Sequence, residues 1–465
     1  MVEVKEIEKS EKIKDKKETP SNVTIVKMSD VNKTENNSID NTPDNSDKLD
    51  KTESVKLDKP KRKQYETPVI ESVTNAASDK KVDGAADSET GQLREAMLGV
   101  QLSNGIDKTK LLSTGSTLLN LAIANNWQAS ILPGAYYWLC GDSASGKTWL
   151  TYSILAEAAN NPVYDNYRLI YDDVENGALF DVERYFGSKL ARRCEPPAKD
   201  KDGTPIYSSL VEEFYSYLDD KIKQKKPFIY VLDSMDSLDS LANEKLFDSN
   251  KSAIQSMLSG KADKIDNGEK SDKIKASYGD GKAKFNSQNI RRFVSRLRKT
   301  GSILIIVTQT RDNITGYGAP KIAGGGKALK FYSHVELWTK SVGELTKNVN
   351  NIKRTVGSIC EASIKKNRIT GQYAKVNFNI HNTYGIDDLG SCIDYLLSEK
   401  AIETSGKNAS GGTLTIPQMN LSGTKEKLIT LIERSNREDE FRQLVADVWN
   451  DVLVKTTLQR KKRYE

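Results

Sequence analysis

"AYYWLCGDSASGKTWLTYSILAEAAN", residues 135–160, decides the fold. It opens with an apolar, aromatic run of strand length and closes with a helical pattern, which is how a strand buried on both faces and the helix after it read in sequence. Between them, Gly141-Asp142-Ser143-Ala144-Ser145-Gly146-Lys147-Thr148 fits G-x-x-x-x-G-K-[ST] in full. Glycines at these places let backbone N–H groups turn inward around a phosphate at a helix N-terminus, where partial positive charge collects. Lys147 is expected to reach the β and γ phosphates, and Thr148 to offer its hydroxyl to Mg²⁺. The octet predicts an ATP site with Mg²⁺ as cofactor.

Working outward, three more strand-like runs follow: "YRLIYDD" (167–173), "PFIYVLD" (227–233) and "SILIIVTQ" (302–309). They alternate with helical patterns, so the expected fold is α/β, a mostly parallel central sheet flanked by helices. Each run ends in a polar group. Asp233 is placed to hold the metal, directly or through water. Asp172, Asp173 and Glu175 cluster after the second run, and a carboxylate there can orient and deprotonate an attacking water; the residues alone do not separate Asp173 from Glu175. Gln309 is an amide able to touch a γ-phosphate and pass on its loss. Downstream of it lies "YGAPKIAGGGKALKFYSHVEL" (317–337), in which a triple glycine implies either a linker or a backbone that approaches something closely.

The rest of the chain bounds the architecture. Residues 1–90 are polar without a helical or strand period, and are expected to be disordered. Residues 91–111 read as an N-terminal helix and linker, with "SETGQLREAMLGVQL" as the helix start. Residues 241–286 read as a largely mobile, lysine-rich insertion before the helix "SQNIRRFVSRLRKTG". Strands "SHVELWTK", "SICEASIKKN" and "YAKVNFNI" are expected to extend the sheet with antiparallel pairs. Residues 411–465 read as a small helical unit with the basic tail Arg460-Lys461-Lys462-Arg463. The net charge of +6 permits a nucleic-acid partner without demanding one. The four cysteines have neither zinc-ligand nor disulfide-framework spacing, which fits a reducing compartment. No stretch reads as a signal peptide or a membrane span, so no membrane partner and a cytoplasmic location are expected, the host cytoplasm if the source is a virus.

With its strand-end elements in this order, the chain resembles bacterial RecA and its phage relatives, the RecA-type recombinases, from about Leu112 to about Ser405. The likeness rests on "LSTGS", Asp173-x-Glu175, Asp233-Ser234, Gln309, "GYGAPKIAGGGKALKFY" and "KKNRITGQYAKVNFNI". It implies a RecA-like P-loop core and selects Glu175 as the catalytic carboxylate. It makes Gln309 the switch amide and Asp233 the metal-side carboxylate. Lys366 and Arg368 become the basic pair that reaches a neighbouring subunit's ATP. The glycine-rich stretch becomes a DNA-binding loop, with Arg311, Tyr317, Gly318, Lys321, Gly324, Gly325, Gly326 and Lys327 as its candidate contacts. In the insertion, Lys273, Lys275, Lys282 and Lys284 are further candidates. The family implies a DNA-dependent ATPase that forms a helical homo-oligomeric filament on single-stranded DNA, takes up duplex DNA during exchange and promotes homologous pairing. Two other readings compete: a ring ATPase or helicase on the same core (RadA-like or replicative), and a non-catalytic ATP-binding scaffold. The insertion, the N-terminal segment and the basic tail depart from the RecA pattern.

Overall fold

A computed structural model describes residues 106–258, 280–312, 321–406 and 412–458, together with residues 460 and 463. The polar N-terminal segment, the helix expected from residue 88, Tyr317, Gly318, Lys273, Lys275, Lys461 and Lys462 lie outside the described residues.

The quoted stretch forms strand β1 (Tyr136–Gly141), buried along its whole length. Because successive side chains point to opposite faces, Tyr137 and Leu139 enter one core, and Tyr136, Trp138 and Cys140 enter another. The first core is roofed by helix α1 (Thr117–Ala124), whose Ser116 cap accepts from the Leu119 N–H, and by α2 (Lys147–Asn160). Next come β2 (Arg168–Asp173), the short helices α3 (Val182–Phe186) and α4 (Ser188–Arg193), and the two-residue strand β3 (Cys194–Glu195).

The second core lies under α5 (Val211–Lys223), which buries Val211, Phe214, Tyr215, Leu218 and Ile222, the spacing of one helical face. Strand β4 (Phe228–Asp233) follows, then helices α6 (Leu241–Leu258) and α7 (Asp280–Thr300), then β5 (Ile303–Asp312). The stretch expected to be a mobile insertion is therefore helical at both described ends. The returning helix starts at Asp280, seven residues before the start of "SQNIRRFVSRLRKTG", because Phe285 and the wholly buried Asn286 face the second core and Tyr215.

Strand β6 (Lys321–Ala323) folds back on β5 as a hairpin, with Thr310 opposite Ala323 and Asp312 opposite Lys321. After α8 (Lys327–Tyr332), two long strands run antiparallel: β7 (Val335–Val349) and β8 (Ile352–Asn367). Pairing of β7 with β1 ends at Thr339 and pairing of β8 with β9 reaches Gly357, opposite Leu345; beyond these the two strands continue as a two-stranded ribbon with Asn350 and Asn351 at its tip, both at positive φ. Strands β9 (Lys375–His381) and β10 (Gly385–Asp387) complete a ten-stranded sheet in the order β10-β9-β8-β7-β1-β5-β4-β2-β3, with β6 attached to β5. The pairs β7-β1-β5-β4-β2-β3 are all parallel, and the β7-to-β10 side is antiparallel. This is the expected α/β core, a mostly parallel sheet flanked by helices, with antiparallel extensions.

The chain continues through α9 (Asp388–Ser398) into a second sheet of β11 (Glu403–Ser405), β12 (Thr413–Ile416) and β13 (Leu421–Gly423), then α10 (Lys425–Arg434) and α11 (Glu438–Thr456). The boundary expected between residues 405 and 411 thus falls inside a three-stranded sheet. Leu428, Ile432, Phe441 and Trp449 join the first core, and Arg442 on α11 binds Asp388 on α9 at 3.0 Å. The C-terminal part is mixed α/β and shares that core.

Candidate nucleotide site and the hairpin beside it

The octet turns where β1 ends and α2 begins. Gly146 caps α2 at φ 86°, and a Cβ there would lie 2.7 Å from Ile380 Cδ1 and 3.2 Å from Cys360 Sγ, so both backbone angle and space demand glycine. Ser145 Oγ donates to the Asp142 carbonyl at 2.7 Å and meets Thr339 Oγ1 at 2.9 Å, which ties the loop to β7. Lys147 is buried and donates to the carbonyls of Gly141 (3.0 Å) and Asp142 (2.6 Å). Burial pulls its pKa down, opposed by the carboxylates of Asp233, Glu175 and Asp142.

The parallel register brings the strand ends together. Gly141 lies opposite Gln309 and Asp173 opposite Asp233. Thr148 Oγ1 and Tyr171 OH both donate to Asp233 Oδ2, at 2.8 and 2.7 Å. Burial raises the Asp233 pKa against these two hydrogen bonds. A hydroxyl beside a carboxylate at the foot of a phosphate loop suits Mg²⁺, which takes only one or two protein oxygens and completes its shell with phosphates and water. Among the described residues no group of three or more His, Cys, Asp or Glu that could hold a metal ion is found. The Asp233–Ser234 peptide bond is cis.

The two carboxylates that the residues alone left open have different surroundings. Asp173 accepts from the N–H groups of Gly177 (3.0 Å) and Ala178 (3.1 Å) and closes its own loop. Glu175 Oε1 accepts from Ser234 Oγ (2.5 Å), Ser237 Oγ (2.8 Å) and Gln309 Nε2 (2.9 Å). Burial pushes its pKa up, but these three donors and Lys147 outweigh that and hold it below the usual value. Asp172, the third of the group, is wholly buried and accepts from Ser208 and Tyr230.

Gln309 also leads into the glycine-rich stretch. Its N–H donates to Asp236 Oδ2 (2.7 Å), and its carbonyl accepts from Gly324 N (3.1 Å). The three glycines are a close approach. A Cβ on Gly324 would lie 1.7 Å from Asp236 Oδ1, one on Gly325 2.4 Å from Leu329 Cδ1, and one on Gly326 3.2 Å from the Ala283 Cβ on α7. Gly325 and Gly326 also take φ of 78° and 90°. Asn286 donates to the Gly325 carbonyl at 3.1 Å.

The candidate DNA contacts divide. Arg311 is exposed and stands 3.7 Å from Asp236; Lys321 is 2.5 Å from Asp142 Oδ2; Lys327 is exposed at the start of α8. Lys282, expected as a DNA contact, is instead half-buried and donates to the carbonyls of Met235, Asp236 and Leu238, closing the turn after β4. Lys366 and Arg368 sit at the other end of the sheet. Lys366 is level with Trp138 on β1 through Glu336, and the Arg368 N–H donates to the His334 carbonyl beside Tyr136. Tyr136 is five residues before Gly141, about 16 Å along a strand. There Lys366 Nζ donates to the carbonyls of Lys330 (2.6 Å) and Phe331 (2.8 Å), and Arg368 to that of Phe331 (3.0 Å), all at the C-terminal end of α8. Burial and then the Arg368 charge push the Lys366 pKa down to about 8.

Sequence reasoning did not find Tyr171, Ser237, Asp142 as a side-chain partner, or Asp236. Tyr171 shares a strand face with Asp173, two residues on, and that alternation was available. For Asp236, the available signal was a carboxylate three residues after Asp233.

Residues 251–387 match the family model of the RecA N-terminal domain. Protein RecA of Chlorobaculum tepidum is 26% identical over 346 residues, 73% of this chain and 84% of that protein. In sequence, this chain is similar to RecA proteins. Protein RecA of Deinococcus radiodurans reaches 31% identity over 178 residues, 37% of this chain and 47% of its own. A solved structure of the RadB recombinase matches at 16% identity with a TM-score of 0.38, covering 60% of this chain and 99% of that one. The RecA model's span runs from within α6 to the end of β10, and so takes in Gln309, the glycine-rich hairpin and the Lys366–Arg368 strand.

Proposed function

We propose that this chain is a DNA-dependent ATPase that assembles as a helical filament on single-stranded DNA and promotes homologous pairing and strand exchange. The observation that carries the proposal is the Glu175–Gln309 hydrogen bond of 2.9 Å, with the Gln309 carbonyl holding Gly324 at the root of the hairpin. A γ-phosphate seated by the octet lies where the amide of Gln309 can turn to it, and the same residue is hydrogen-bonded to the hairpin nominated for DNA. Kinship with RecA proteins supports the same reading.

In this scheme ATP's phosphates take the ammonium of Lys147 from the carbonyls of Gly141 and Asp142. Glu175, held ionised by its hydrogen bonds, orients the attacking water and accepts its proton. Bound Mg²⁺ supplies positive charge to the β and γ phosphates, with Thr148 and Asp233 as its protein oxygens. Lys366 and Arg368, about 10 and 16 Å along the sheet from their own phosphate loop, serve a neighbour's ATP, where added positive charge stabilises the transferring phosphoryl group. Hydrolysis then depends on assembly. Arg311, Lys321 and Lys327 neutralise DNA phosphates without reading sequence. Among the described residues no helix is long and apolar enough to cross a membrane; we place the protein in the cytoplasm with its DNA.

The test is ATP turnover with and without single-stranded DNA at two salt concentrations, with negative-stain images of the same mixtures. The proposal expects turnover that rises strongly with single strands, falls with salt, and accompanies filaments. Closed hexamers that unwind forked DNA, or turnover indifferent to DNA, would overturn it.

A further inference from the structure

The cations at the root of the β5–β6 hairpin are not free. Side chains alternate along β5, so Thr310 and Asp312 face one side, and Gln309 and Arg311 the other. A carboxylate waits on each side. On the first, Asp142 accepts from Thr310 Oγ1 and lies 2.5 Å from Lys321 Nζ. On the second, Asp236 accepts from the Gln309 N–H at 2.7 Å and stands 3.7 Å from the Arg311 guanidinium. Asp142 belongs to the phosphate loop, next to Gly141. Asp236 belongs to the turn after β4, three residues past Asp233, and Lys282 fixes that turn through its carbonyls.

Counting charges at the root, Arg311, Lys321 and the half-buried Lys282 are matched by Asp142, Asp236 and Asp312, which lies opposite Lys321. A root with this balance does not attract a phosphate chain. We infer that Asp142 and Asp236 are positioning residues that withhold Lys321 and Arg311 from DNA, and that phosphates bound in the octet release Lys321 by repelling the Asp142 carboxylate. When Lys147 leaves the Asp142 carbonyl for a phosphate, the loop also loses a bond that holds this residue in place. The nucleotide dependence of DNA binding then has an electrostatic part, carried by a side chain of the phosphate loop itself. This rests on the DNA-binding role proposed above for the hairpin.

The Asp142–Lys321 pair is partly exposed, and pairs of that kind change an affinity by a factor of about 1.4 to 5. The experiment is fluorescence anisotropy of a labelled oligodeoxythymidine with the full-length protein, with and without a non-hydrolysable ATP analogue. Asp142→Asn keeps the size and the Thr310 contact but removes the charge. It is expected to tighten nucleotide-free binding by about two- to fivefold and to narrow the gap between the two conditions. In a Lys321→Gln background the same substitution is expected to change nothing. Nucleotide-free affinity that stays the same or weakens in Asp142→Asn, while wild-type protein binds the oligonucleotide normally, overturns the inference alone. Wild-type protein that binds no oligonucleotide in either condition overturns the DNA-binding reading, and this inference with it.

Discussion

Replacing Gly324 by alanine tests whether the triple glycine is a close approach or a linker. The added Cβ would lie 1.7 Å from Asp236 Oδ1, 2.6 Å from its Cγ and 2.9 Å from Oδ2. No contact of that length survives, so one side must move. The Asp236 side chain is 7% exposed and pinned through Oδ2 to the Gln309 N–H, so the clash forces it to turn and give up that bond. Losing a hydrogen bond to a charged acceptor costs about 1.5–3 kcal/mol. Gly324→Ala should therefore lower stability by about that amount, and Asp236→Ala by a similar amount, since it removes the same bond. The double variant is the decisive one. With no carboxylate at residue 236 the alanine at 324 loses its three nearest contacts, so the pair should cost about as much as Asp236→Ala alone, far from the sum. Urea unfolding of the four proteins, read at the transition midpoint, measures this. Gly324→Ala at wild-type stability, or strictly additive costs, would refute the close-approach argument and return the stretch to a linker.

Three further outcomes follow from the site. Glu175→Gln should keep nucleotide affinity and lower DNA-stimulated turnover by about 10²–10⁴-fold, measured as phosphate release beside equilibrium binding of a fluorescent ATP analogue. Lys366→Ala with Arg368→Ala should leave nucleotide binding to the free subunit unchanged and cut DNA-stimulated hydrolysis by about 10³-fold or more; normal hydrolysis by that protein would end the neighbour-subunit role. With its pKa pushed down to about 8 by burial and the Arg368 charge, Lys366 in the free subunit is about half uncharged at pH 8. A low-pKa amine acylates ahead of ordinary lysines. Mass spectrometry after brief treatment with an amine-reactive ester should find Lys366 among the first modified at pH 8 and unmodified at pH 6, and Arg368→Gln should slow the reaction by returning the pKa upward.

Much of the core was legible because its signals are local. The octet, the apolar runs and their polar ends are properties of six to eight consecutive residues, and a strand buried on both faces must be apolar throughout. Registers and cross-chain contacts are not local. Nothing near Lys282 tells that its ammonium closes the turn at residues 235–238, because that needs α7 laid beside β4. The continuation of β7 and β8 beyond the sheet, and the strands at 403–423 that join the C-terminal part to the core, depend likewise on pairing between distant segments.

The sequence by itself determined the phosphate loop, the α/β order and the residues able to do the chemistry, since glycine, lysine, threonine and carboxylate at those spacings leave little else to do. The residues alone left Asp173 and Glu175 unseparated and the resemblance chose Glu175; tertiary structure shows what each carboxylate meets. Asp173 is spent on its own loop, while Glu175 meets Gln309. It also separated Lys366 and Arg368 from their own octet by most of a strand's length, and set Asp142 against Lys321. The reason is common to all three: a side chain's role is fixed by what the sheet brings within 3 Å of it, and register is set by the packing of the whole core.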